Sequence, residues 1–136
     1  MEHTADEYIL AYGETLEAAF ENAALAMFDV MTDLKTIEPK EADSIEITAE
    51  DEKHLLYLWL ETLLLNFDID RKVYSQFKIH ELKRRDACFS LTATIWGEIY
   101  NQNKHPSRTE IKSITYHRME IIKEQRKTSI KFILDI

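Results

Sequence analysis

Two long stretches carry apolar residues at helical spacing, and each follows a run of strand-like residues. Leu16, Ala19, Phe20, Ala23, Met27, Val30 and Met31 form the first stripe, with Glu17, Glu21 and Asn22 on the other side. Thr15 is its expected N-cap, and the alanines at 19, 23 and 24 permit close approach to a sheet. Leu55, Leu56, Trp59, Leu60, Leu63, Leu64 and Phe67 form the second stripe, which Asn66 through Asp70 should end. Leu58 and Leu65 widen that arc, so cover on more than one side is expected. Thr48, three residues before Asp51, reads as the start of a capping box.

The rest of the chain reads as strands. Tyr8–Tyr12 is β-favouring and closes at Gly13, and Ser44–Thr48 alternates with Ile45 and Ile47 inward. Val73–Leu82 and Ala87–Gly97 form an expected hairpin around the charged turn Lys83-Arg84-Arg85-Asp86. Residues 111–123 and 128–136 form a final pair, with Ile130, Phe132, Leu134 and Ile136 on one face and Asp135 on the other. Strand, helix, strand, helix, then a run of strands defines an α+β fold of two layers: two main helices on a largely antiparallel or mixed sheet. Residue identity shows no internal repeat.

At 136 residues the chain is expected to form a single domain, 1–136, with a sizeable core. It contains two glycines, which excludes the glycine-rich phosphate loop and the glycine-flanked serine elbow. The single cysteine, Cys88, excludes an intrachain disulfide, fits a reducing compartment and reads as a small buried apolar residue. The five histidines are scattered and read as surface or satisfied core residues. The formal charge of −8 is poorly suited to gripping phosphate backbones; RNA, if involved, is reached through a partner. No signal peptide is visible, and Leu55–Phe67 is too short to span a bilayer, so a cytoplasmic location without membrane contact is expected.

The better chemical candidates are carboxylates: Asp6, Asp51 and Asp135, with a C-terminal carboxylate on Ile136. Crowded carboxylates repel unless a proton or cation compensates, and hard cations prefer oxygen ligands. The residues alone also allow caps and solvated groups.

His3-Thr4-Ala5-Asp6, Tyr12-Gly13, the run Thr15–Phe28, Met31-Thr32-Asp33, Ala49-Glu50-Asp51, Trp96-Gly97-Glu98, His105-Pro106, Thr109–His117 and Asp135-Ile136 together resemble the archeases, nearly end to end. Glu2 stands where that family has aspartate. The resemblance implies one strand–helix–strand–strand unit inserted in another. It implies a non-enzymatic activator of the RtcB-type RNA ligase of tRNA splicing, promoting ligase guanylylation and multiple turnover. It further implies a divalent-cation site at Asp6, Asp135 and Ile136, with calcium as the ion, or magnesium or manganese. Lys112 is implied in ligase activation, and Asp51 is a possible additional acidic position. The alternatives are a small metal-dependent hydrolase using the same carboxylates, or a metal-free interaction module.

Overall fold

The computed structural model describes residues 5–136. The order is β1 (Asp6–Gly13), α1 (Leu16–Met31), a 3-10 turn (Leu34–Thr36), β2 (Glu41–Ala49), α2 (Glu52–Asp70), β3 (Lys72–Arg85), β4 (Cys88–Ile99), β5 (Ser113–Lys123) and β6 (Thr128–Asp135). The strands form two antiparallel three-stranded sheets, ordered β1-β6-β5 and β2-β4-β3. In each sheet the unit's third strand lies between its first and second, and the helix connects first to second. One strand–helix–strand–strand unit is therefore inserted between the helix and second strand of another, so β1, α1, β5 and β6 form the outer unit.

Helix α1 starts where expected, with the Ala18 amide donating to the Thr15 hydroxyl at 3.0 Å. Helix α2 is capped by Asp51 rather than by Thr48. The Asp51 backbone is extended and its carboxylate accepts from the His54 amide at 2.7 Å, while Thr48 remains in β2 opposite Ser90. Helix α2 runs on to Asp70 and ends at Arg71, whose φ of 56° is left-handed. A chain with two glycines uses Arg here, and the guanidinium lies 4.2 Å from the Phe67 ring centre.

The apolar stripes meet in one core. Phe20, Phe28, Trp59, Tyr74 and Phe132 are fully buried, and the Trp59 indole N–H ties the helices by donating to the Phe20 carbonyl at 3.0 Å. Met27 and Met31 are core residues, as read. Leu58 is partly buried, whereas Leu65 is exposed, so the cover over α2 is narrower than its sequence suggests.

Two sequence expectations change at the β3–β4 hairpin. Lys83–Arg85 belongs to β3, because Arg85 pairs with Cys88 and the connection is only Asp86-Ala87. Asp86 takes a φ of 54°, a conformation aspartate tolerates. Cys88 is exposed, because this end of the hairpin projects beyond the packed part of the sheet: residues 83–88 are all exposed. Gly97 is required by close approach, since a Cβ there would lie 1.9 Å from the Val73 carbonyl oxygen.

Candidate functional site: a carboxylate pair at the open end of the outer sheet

β1 and β6 pair in unbroken register from Asp6↔Asp135 to Gly13↔Thr128. The Ile136 amide donates to the Ala5 carbonyl at 3.1 Å, which makes Ala5 and Ile136 a hydrogen-bonded pair. Asp6 and Asp135 therefore form the next, non-hydrogen-bonded pair, in which Cα atoms are about 4.5 Å apart and side chains are closest. Both project from the outer face, with Tyr8, Leu10 and Tyr12, away from the packed row of Ile130, Phe132 and Leu134. Like charges directly opposite on antiparallel strands are destabilising. Among the described residues no Lys, Arg or His forms a salt bridge with either carboxylate.

Ser113 is the register partner of Asp135 on the other side, with its hydroxyl 3.5 Å from the Asp135 carboxylate. Lys112 precedes β5, is exposed, and donates its amide to the Asp135 carbonyl at 2.7 Å. The sequence predicts a strand from residue 111 that contains Lys112. Instead β5 begins at Ser113, and Ile111 is buried while Ser113 is exposed.

The connector before Lys112 is fixed by a buried polar cluster that sequence reasoning left unassigned. His105 Nδ1 accepts from the Asn101 amide at 2.9 Å, so Nε2 carries the proton and donates to Glu98 at 2.8 Å. Glu98 also accepts from the Glu38 amide at 2.8 Å and from Lys104 at 3.0 Å. Burial pushes the Glu98 carboxyl up, but the Glu38 amide, Lys104 and His105 outweigh it and hold it down at about 2. Further on, the Arg108 amide donates to the Met31 carbonyl at 3.0 Å and its guanidinium to Asp29 at 3.1 Å. The connector thus arrives at Lys112 and Ser113 held from both units. Trp96-Gly97-Glu98 and His105-Pro106 carried the signal in the sequence, as parts of the family pattern.

Asp51 lies apart from the pair. Its neighbour Glu52 binds Lys123 at 2.7 Å, at the hairpin end of β5, whereas Asp135 faces the opposite end of that strand. Its carboxylate is engaged as a helix cap. His3 and Thr4 of the opening motif lie outside the described residues, and among the described residues no helix is long and apolar enough to cross a membrane.

The donors at the pair are all oxygens: two carboxylates, the Ser113 hydroxyl and the main chain of Ile136. Such a set fits a hard divalent cation, with water or a partner completing the shell. Among the described residues no three His, Cys, Asp or Glu side chains converge.

An inserted pair of strand–helix–strand–strand units with two opposed carboxylates at one sheet end defines a small α+β protein. The chain belongs to the archease family: the model of the Archease protein family (MTH1598/TM1083) matches residues 1–136. It is 42% identical over 135 residues to the protein archease of Sulfurisphaera tokodaii, covering 99% of this chain and 95% of that one. It is 44% identical over 133 residues to the protein archease of Methanothermobacter thermautotrophicus, covering 98% and 94%. The solution structure of Methanobacterium thermoautotrophicum protein 1598 superposes with a TM-score of 0.84 at 41% identity, over 100% of this chain and 96% of that one. A Thermotoga maritima archease, described as a possible chaperone, shares the fold with a TM-score of 0.62 at 19% identity, over 100% and 94%. The family is the one that the sequence motifs resemble.

Proposed function

We propose that this chain activates an RtcB-type RNA ligase of tRNA splicing, promoting ligase guanylylation and multiple turnover. Membership of the archease family supports the reading, and the observation that carries it is the opposition of Asp6 and Asp135 on the outer face of the sheet, without a basic partner among the described residues. Two carboxylates held face to face cost stability unless a cation from outside joins them. Calcium, or magnesium or manganese in its place, fits the oxygen donors of Asp6, Asp135 and Ile136. Such an ion supplies charge neutralisation to a nucleotidyl transfer.

The chain's own part is positional. Asp6 is fixed by β1–β6 pairing, Asp135 by β6 and by the Lys112 amide, and Ile136 by its bond to Ala5. Lys112, tied to Asp135 through its amide, offers a compact ammonium for a nucleotide phosphate or an acidic group of the ligase. The formal charge of −8 supports contact with RNA only through the ligase.

The test is guanylylation of the ligase from GTP, followed with and without this protein. Faster guanylylation and more than one turnover per ligase are expected with it. An unchanged rate at saturating protein would overturn the reading.

A further inference from the structure

Four strands lie at sheet edges: β1 and β5 in the outer sheet, β2 and β3 in the inner one. An unpaired edge is a template for another strand, and proteins blunt it with charge, bulges or bends. Three of these edges are blunted. β3 carries register shifts at Ser75 and His80 and exposes mainly charged residues. β5 has a bulge at 116–119, where four residues face one on β6. β2 exposes Glu41, Ala42, Ser44, Glu46 and Thr48, none of them large and apolar.

β1 carries charge only at its start, Asp6-Glu7, and none of the shifts or bulges. Its eight residues pair without a shift, and between Asp6 and Glu14 there is no Lys, Arg or Pro. Tyr8, Leu10 and Tyr12 are 68%, 59% and 59% exposed. The hydrogen-bond phase set by Ala5 and Ile136 assigns Glu7, Ile9 and Ala11 to β6, so Asp6, Tyr8, Leu10 and Tyr12 direct both amide and carbonyl to the free side. The Tyr12 carbonyl accepts from the Asn22 side chain at 2.7 Å, as that phase requires. Nothing among the described residues pairs with the outward groups of Tyr8 and Leu10. A groove of about 250 Å³ runs beside them over β6, lined by Tyr8, Leu10, Ile133, Arg118 and Lys131.

We propose that the free edge of β1 is the docking strand for the protein partner, which adds an extended segment to it. The main-chain groups of Tyr8 and Leu10 bond that segment, its alternate apolar side chains pack on Tyr8, Leu10 and Tyr12, and a basic residue in it meets Asp6. Charge selects this occupant over a second copy: the edge starts with Asp6-Glu7 and is followed by Glu14, and the chain carries a formal −8. The inference rests on the ligase reading above and names how the ligase is held. Because Asp6 belongs both to the edge and to the carboxylate pair, docking here delivers the pair to the partner.

The phase supplies the test. The Leu10 amide faces outward, so Leu10→Pro removes a donor the fold does not use, and proline is tolerated at such edge positions. Ligase guanylylation is measured against the concentration of this protein. Leu10→Pro is expected to raise the half-maximal concentration at least tenfold while the plateau and the unfolding midpoint stay near wild type. Tyr8→Glu keeps the backbone and adds a like charge beside Asp6; it is expected to raise that concentration similarly, and it decides the matter if Leu10→Pro does not fold. Wild-type half-maximal concentrations in a folded Leu10→Pro and in Tyr8→Glu overturn the docking strand while leaving the ligase reading intact. A flat wild-type curve overturns the ligase reading and the inference with it. Sedimentation of the wild type as a dimer that Leu10→Pro dissociates assigns the edge to a second copy instead, and also overturns the inference.

Discussion

The outer and inner units share a strand order, and each central strand ends beside carboxylates, but the two ends are finished in opposite ways. In the inner unit Glu98, next to last in β4, is buried and takes hydrogen bonds from the Glu38 amide, Lys104 and His105. In the outer unit Asp135, last in β6, is half-buried and faces the exposed Asp6 across the sheet. A buried carboxylate must be satisfied from within, or it costs several kcal/mol. A pair that water reaches can stay unsatisfied at small cost, because water screens it. The inner end therefore holds the scaffold together, and the outer end is where the proposed cation from outside the chain would be held.

This contrast orders the expected effects on stability. Glu98→Ala leaves Lys104, His105 and the Glu38 amide around a hole and should lower unfolding free energy by about 3–5 kcal/mol in chemical denaturation. The same group sets an acid limb. Its carboxyl is held down at about 2 against an ordinary 4.5, so its contribution is complete above 4.5 and is lost as pH falls from there through about 2. Glu98→Gln should flatten stability against pH across that window. Asp51→Ala removes one helix cap and should cost about 1 kcal/mol, with ligase activation retained because the cap lies away from the pair. Asp6→Ala should change stability by no more than about 0.5 kcal/mol and yet abolish activation. Lys112→Ala should be the most silent in unfolding while sharply reducing guanylylation. Partial rescue by Lys112→Arg would indicate a charge contact, and no rescue a constrained one. Equal losses of stability at Glu98 and Asp6 would erase the distinction between the two ends.

The sequence carried most of this fold because its patterns were local. The α1 stripe and its Thr15 cap needed only helical spacing and one hydroxyl, and the inward row Leu91, Ala93 and Ile95 needed only alternation. What escaped depended on distant partners. The start of α2 hinged on which of Thr48 and Asp51 was claimed by β4, and β4 took Thr48. The bulge at 116–119 is set by pairing with β6, so the apparent strand from residue 111 hid both the bulge and the late start at Ser113. The Asp6–Asp135 opposition came from family resemblance, since residues at the two ends of the chain share no local pattern. His105 looked like any scattered histidine until Glu98 was folded against it.

On the proposed function, the outer carboxylate pair takes a divalent cation from outside the chain. Titration calorimetry with calcium on the wild type and on Asp6→Asn tests it most directly, because the substitution keeps size and removes the charge. Saturable binding of about one ion per wild-type chain, lost in Asp6→Asn and unchanged in Asp51→Asn, is the expected result. Equal calcium binding by wild type and Asp6→Asn would contradict the account.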